Sequence, residues 1–569
     1  MVVISEILLL IIKMMRISFF SARTLAVGGA ALSVANVLGQ TVVDFPASEN
    51  HEDYIEVYRT VVDGRQTVLE GTVYNLPGYW VRLSSSGKLY GGQTGKAYRM
   101  LKTEGFEMDK QVVMPDSGCC DFKLYFEPVD ARDRTVHWIE RGNDTLFTAL
   151  CVRPVPPSGD VFACRIKGTV EGKRCVRLLL YDFDQDQRVR PALSIPVRSN
   201  RFDYTCYTDK PQVKLLTKWE EYVDGAWYEI PLFVEKGENE ISILPESQDV
   251  NLHRATAANY EWKSISKESD SLERESRLDE LYGTMKRMTP QQALTPEALL
   301  LEKQLRAFYE KMEKLPDDEA LRDSVQLIYR QRSRLETEKK MFTPEYTRIR
   351  LMADSITMQL DCRLADRLAD TPSLPALFRL YQLTDRSVVN KSPEMLHFWQ
   401  IYQKHFAPLW GESPLGKHLE AILQAEMQIR AGEDYPLFEA RDLNGQLVAV
   451  NGLIKGKWAL IDLWASWCGP CRAQSKQMIP VYNQYADKGF TVVGIARERK
   501  VSDALEAIRK DGYPWMQLVE LHDEMGIWLR HGIKNAGGST FLVNPEGKIV
   551  AVKPLAAEVE AILKEHLIP

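Results

Sequence analysis

Apolar and polar residues alternate with a period of two along the first third of the chain. The runs "QTVLEGTVYN" (66–75), "GYWVRLSS" (78–85), "DFKLYFEPV" (121–129), "TVHWIERG" (135–142) and "TLFTALCVRP" (145–154) each read as a half-buried strand. Gly, Pro, Asp and Asn turns separate them, so residues 41–158 predict a β-sandwich-like domain. The proline-rich "RPVPPSG" (153–159) marks its end. A second β domain follows at 159–250, where "FACRIKGTVEGKRCVRLLLYDFD" predicts a hairpin turning near Glu171 and Gly172. Its further strands are "RFDYTCYT", "QVKLLTKW", "WYEIPLFVEKG" and "NEISIL".

The period then changes. Between 255 and 430 apolar residues recur at helical spacing: Leu301, Leu305, Phe308 and Met312 share one face, as do Leu321, Val325 and Ile328. Asp317, after Pro316, is placed to cap the second of these helices. The opposite faces carry Arg, Lys and Glu, which describes a solvated helical segment, with a dimerising surface as the second reading. From 433 to 569 strands and helices alternate. "WALIDLWAS" is a buried strand, "CRAQSKQMIPVYNQYADKG" a helix, "FTVVGIA" a strand, "VSDALEAIRKDG" a helix, "STFLVNPEGKIVAVKP" two strands and "AAEVEAILKEHL" a closing helix. A mixed sheet flanked by helices, with Cys468 and Cys471 where the first buried strand meets its helix, points to a thioredoxin-like α/β fold. The fold class is therefore multidomain: all-β at the N-terminus, helical in the middle, α/β at the C-terminus.

Length, charge and the N-terminus narrow the class. At 569 residues the chain is too long for one core. A net charge of −6, with no basic stripe and no glycine-rich phosphate loop, gives no reason to expect nucleic acid as a partner. From Met15 the sequence has Arg16 and Arg23, an apolar stretch from Leu25 to Ala35, and Val37 and Gly39 before a cut at Gln40. That order describes a secretory signal peptide over 1–39, with Met15 as the expected start and export to the periplasm or cell envelope. The upstream "ILLLII" (7–12) is too short to span a bilayer, which needs about 20 residues. Of nine cysteines, seven lie outside the Cys468 and Cys471 pair; in an oxidising compartment an odd number leaves at least one unpaired. No particular bridge among those seven is expected.

Two resemblances sharpen this picture. Residues 159–250, through Ile166, Gly168 and Val170, "SNRFDY" and "LFVEKGENEISI", resemble the small β domain of unknown function that precedes thioredoxin-like domains in some Gram-negative envelope proteins. The segment before it resembles the extra β region of that architecture through "PGYWVRL" and "MPDSGCCDFKLYFEP". The segment "YPLFEARDLNGQLVAVNGLIKGKWALIDLWASWCGPC" resembles the exported TlpA-like thiol-disulfide oxidoreductases, and "ALIDLWASWCGPCRAQ" nearly reproduces the signature of thioredoxin.

The chemistry needs this spacing. Cys468 falls at a helix start, where unpaired N–H groups and the helix dipole favour a thiolate. It is the expected attacker, and Cys471, one turn on, resolves the mixed disulfide. Gly469 and Pro470 keep bulk away from the sulfurs. By resemblance, Asp462 is the buried acid that exchanges a proton with the resolving cysteine, and its pKa should be raised; Trp464 and Trp467 pack around the site. The family places a cis-proline opposite the cysteines; the strand "STFLV" puts Gly538 in that slot, with Gly537 before it. A cis bond before a residue other than proline costs ~3–4 kcal/mol, so a trans Gly537–Gly538 bond is expected. These two glycines are the candidate substrate-binding backbone, together with Trp467, Gly469 and Pro470. Gln474 and Lys476 stand where TlpA-like proteins often have Glu and Pro.

The reading is a periplasmic thiol-disulfide oxidoreductase, a reductant of protein disulfides, without metal or organic cofactor. The resemblance implies protein disulfide substrates and a membrane-bound electron donor; the helical segment offers a surface for a homo-oligomer. The alternative is an envelope scaffold with an inactive thioredoxin-like docking module. A zinc half-site lacks its second pair of ligands. A peroxidase would want P-x-x-x-[ST]-x-x-C, which "IDLWASWC" lacks.

Overall fold

The structure, a computed structural model, describes residues 40–567 apart from 53, 141–144, 154–159, 191, 226–227, 313–318, 391–393 and 534–536. The signal peptide, most of the proline-rich boundary and the Asp317 cap lie outside the described residues. No described helix is long and apolar enough to cross a membrane. The chain divides into two compact units. Glu261–His405 forms one; the described residues up to Tyr260, joined by Phe406 onward, form the other.

In the second unit, the first β region is one nine-stranded sheet. Residues from its two ends, Ile55 and Val57 on one side and Val136 and Phe147 on the other, share a single core, so the sheet curls over on itself. Trp138 anchors it, stacked on Phe147 at 6.1 Å and edge-on to Phe122 and Phe126. Of "GYWVRLSS", only Trp80–Val81 is strand, paired with Val112–Val113 in a separate two-stranded ribbon.

Residues from Phe162 onward form two four-stranded sheets packed around Ile166, Leu178, Leu180, Tyr204, Leu216 and Ile241. The expected hairpin at Glu171 and Gly172 does not form. Phe162–Val170 already has a neighbour on each side, Arg201–Thr208 antiparallel and Gly237–Ile243 parallel. The chain therefore crosses to the opposite sheet, where Arg177–Asp182 pairs with Leu193–Pro196 and Gln212–Lys218. Gly168 is needed for close approach: a Cβ there would lie 2.8 Å from the Ile241 carbonyl carbon.

In the helical unit, Pro296–Met312 packs on Glu319–Thr337 through Leu301, Leu305, Val325 and Ile328. Leu278–Arg287 lies against Pro344–Asp370 through Leu281, Ile349 and Ala353. The last helix of the predicted helical stretch, Pro414–Gln428, belongs instead to the other unit and packs against Ile527–Arg530.

The C-terminal sheet has seven strands in the order Leu447–Ala449, Glu439–Asp442, Met516–Leu521, Phe490–Glu498, Trp458–Trp464, Ser539–Val543, Ile549–Val552. The middle three run parallel, Ser539–Val543 is antiparallel to Trp458–Trp464, and Ile549–Val552 is antiparallel to Ser539–Val543 in turn, a thioredoxin-like arrangement. All seven residues of Trp458–Trp464 are buried, as a strand covered on both faces requires. One face packs Leu460, Trp464 and Met478, the other Ile461, Leu463 and Phe541.

Candidate functional site

The buried strand Trp458–Trp464 delivers the chain to the start of helix Gly469–Tyr485, and Cys468 is the residue that caps this helix. Its Sγ accepts the backbone N–H of Cys471 at 3.2 Å. A helix start leaves N–H groups without partners, and here one of them is aimed at the sulfur that must carry negative charge. Cys468 and Cys471 are joined as a disulfide, with Sγ–Sγ 2.03 Å. Gly469 and Pro470 are exposed, and a Cβ on Gly469 would meet nothing within 4 Å. That side of the disulfide is open to an incoming chain.

The opposite side is lined by backbone. A Cβ on Gly537 would lie 2.7 Å from Cys468 Cβ and 3.0 Å from Cys471 Sγ, and closer still to Cys468 Sγ. A Cβ on Gly538 would lie 2.6 Å from the Leu463 carbonyl carbon and 3.1 Å from Trp464 Cα. The sequence points to Gly538 as the unusual position; the structure makes both glycines necessary, Gly537 because it rests directly on the disulfide.

Asp462 sits behind the cysteines, 3% exposed. The Ser475 hydroxyl donates to its Oδ2 at 2.6 Å and lies 3.0 Å from the Cys471 carbonyl oxygen. Burial pushes the Asp462 carboxyl up to about 7, partly offset by the Ser475 hydrogen bond. With the carboxyl protonated, its O–H can donate to Ser475, whose own hydrogen then goes to the Cys471 main-chain carbonyl; ionised, the carboxylate accepts from the serine hydroxyl instead. Ser475 therefore ties the acid to the backbone of the helix turn that carries the resolving cysteine. Its spacing, four residues after Cys471 on one helix face, was the signal available in the sequence.

A further buried carboxyl fixes the loop before Cys468. Glu498 accepts the Ser466 N–H at 2.5 Å and the Ser466 hydroxyl at 2.8 Å, and burial pushes it up to about 7. Arg472 donates to the Ser466 carbonyl at 3.1 Å while its Nε and Nη2 hold Asp511 at 2.6 and 2.9 Å. Ser466 is thus held on both its N–H and its C=O. Trp464 is buried and donates to Gln517 at 3.0 Å. Gln474 ties the helix to Thr540 Oγ1 and the Pro554 carbonyl, at 3.2 and 3.1 Å. Trp467 is half-buried, with the Arg188 guanidinium 4.0 Å from its ring centre. Nothing local in the sequence signals that contact. The other seven cysteines are free in this structure, and no described cluster of His, Cys, Asp and Glu has the makings of a metal site.

Residues 431–552 match the model of the AhpC/TSA family. They form a thioredoxin-family domain of the AhpC/TSA type. This domain is 29% identical over 133 residues to the thiol-disulfide oxidoreductase ResA of Bacillus subtilis, a match spanning 23% of this chain and 72% of that protein. It is 33% identical over 121 residues to the thiol:disulfide interchange protein DsbE of Tatumella citrea, covering 21% of this chain and 62% of that protein, less than two thirds of its length. Among solved structures, the thioredoxin domain of a thiol-disulfide oxidoreductase from Bacteroides vulgatus is 30% identical, with a TM-score of 0.23, covering 25% of this chain and 99% of that one. The relatives' names concern thiol–disulfide exchange, and the thioredoxin-family domain carries the paired cysteines that such exchange requires.

Proposed function

We propose that the protein is a thiol-disulfide oxidoreductase of the periplasm that reduces disulfides in other proteins. The observation that carries this reading is the Cys468–Cys471 pair at the first turn of helix Gly469–Tyr485, with the buried Asp462 behind it, hydrogen-bonded to Ser475 of the same helix. In the reduced enzyme the Cys468 thiolate attacks one sulfur of a substrate disulfide. A Cys468–substrate bond forms, and the other substrate sulfur leaves as thiolate and takes up a proton. Cys471 then loses its proton toward Asp462 and attacks Cys468 Sγ. The mixed disulfide breaks, the second substrate sulfur leaves, and two electrons have passed from the enzyme to the substrate. The Cys468–Cys471 disulfide that remains is the state in the structure, and a dithiol on a membrane protein is the proposed source of electrons for the next cycle. Gly537 and Gly538 supply the backbone along which a substrate chain lies, beside Trp467, Gly469 and Pro470.

The test uses the full-length chain, pre-reduced, with insulin as the disulfide substrate and Cys468→Ser beside it. Wild type should reduce insulin and the variant should not; equal, near-zero turnover in both assigns the domain to docking. A redox titration settles direction: a reductant titrates nearer ~−270 mV than ~−120 mV.

A further inference from the structure

The second β domain sends one loop to the thiol–disulfide site. Between strand Arg177–Asp182 and strand Leu193–Pro196, the chain reaches the C-terminal ends of the parallel strands beside Cys468. Asp186, 3% exposed, accepts Arg497 Nη1 at 3.1 Å, and Arg497 in turn holds Asp523 through Nε and Nη2 at 2.6 and 2.7 Å. Arg499 donates to the Gln187 carbonyl, and His522 Nδ1 lies 3.4 Å from the Val189 carbonyl oxygen. A loop fastened at three of the four residues from 186 to 189 by partners more than 300 positions away is docked, not passing by.

What the loop presents is Arg188. Its Nε and Nη2 are gripped by Asp186 at 2.9 and 2.8 Å, which fixes the guanidinium plane over the ring of Trp467, the residue next to the attacking cysteine. The two partners differ in exposure. The Arg188 side chain is 44% exposed, and that of Asp186 is 3% exposed. A chain approaching the disulfide therefore meets the positive charge and not the carboxylate behind it.

We propose that Arg188, supplied by the second β domain, is a substrate-selecting residue of the site, favouring polypeptide disulfides flanked by acidic side chains. This rests on the thiol–disulfide reading above and adds a class of substrate to it. The guanidinium lies over Trp467, the residue before Cys468, where residues flanking a substrate cystine would lie. Charge at the rim of an interface acts on encounter and discrimination, and it weakens with salt.

The experiment gives pre-reduced full-length protein two cystine peptides, identical except that the disulfide is flanked by Asp in one and Lys in the other. The small uncharged 2-hydroxyethyl disulfide serves as a third substrate for the wild type. The ratio of kcat/KM for the Asp and Lys peptides should be about fivefold in favour of Asp at low salt, and should collapse toward one at 1 M salt. R188Q should bring the ratio to about one, R188E should invert it and R188K should keep it. Because it is a ratio, general damage to the site cancels, and the wild-type salt series needs no variant at all. A wild-type ratio of one at low salt, or an unchanged ratio in R188E, overturns the proposal. Turnover of the uncharged disulfide alongside either result leaves the parent reading standing; no turnover of any substrate removes both.

Discussion

Asp462→Asn should make the protein more stable, and more so as pH rises. Asn has the same size and keeps an oxygen to accept the Ser475 hydroxyl, so the substitution removes ionisation and little else. In the folded chain burial pushes the Asp462 carboxyl from 3.8 to about 7. Below pH 4 the group is protonated in both folded and unfolded chains and contributes no difference. Between about pH 4 and 7 the unfolded chain ionises while the folded one holds its proton, so stability falls with rising pH. A shift of about 3 units at ~1.4 kcal/mol each gives a penalty of about 4 kcal/mol, complete above pH 7. The variant should therefore match wild type near pH 4 and exceed it by about 4 kcal/mol at pH 8. Glu498 and Glu520, both pushed up to about 7, and His531, pushed down to about 4, add slopes of their own. Those slopes are common to both proteins and cancel in the difference. The assay is amide hydrogen exchange of strand Trp458–Trp464 in the oxidised full-length chain, wild type against variant at each pH. If the difference does not change between pH 4.5 and 8, the carboxyl is ionised in the folded protein and the reasoning fails. The same substitution should slow release of the mixed disulfide, because Cys471 loses the acceptor for its proton.

Gly537→Ala should cost about 1–3 kcal/mol from overpacking against both sulfurs and lower kcat/KM for protein disulfides at least tenfold, read by oxidised-state unfolding and insulin reduction. Ser475→Ala removes the one side-chain hydrogen bond that lowers the Asp462 pKa, so the pH at which mixed-disulfide resolution is half-maximal should move upward; stopped-flow across pH 6–9 checks it. Asp186→Ala removes the Asp186 contact of Arg497; loss of a buried partner should cost about 2 kcal/mol and make the loop after Asp182 an early site in limited proteolysis.

The sequence made the thioredoxin-like fold legible because its signals are local. A buried apolar run, two cysteines one helical turn apart and a strand two glycines later need no knowledge of distant residues. Leu301, Leu305, Val325 and Ile328 were legible for the same reason: helical spacing reports the buried face directly. What escaped reading was set by contacts remote in sequence. The crossing after Val170 looks like a hairpin until Gly237–Ile243 occupies the free edge of its strand. Glu498 reaches Ser466 only because two parallel strands place Trp464 opposite Ala496. Arg188 reaches Trp467 across 279 residues, a contact no local pattern announces.

Asp186 and Arg497 are separated by 311 positions, and the helical unit lies between them in the chain. At ~5–20 residues per second, a ribosome that has just made Asp186 needs roughly 15–60 s to produce its buried partner. Throughout that interval the loop has no thioredoxin-family surface to rest on. Whatever the route to the folded state, the surface around the cysteines cannot be completed from the second β domain until the residues around Arg497 have been made.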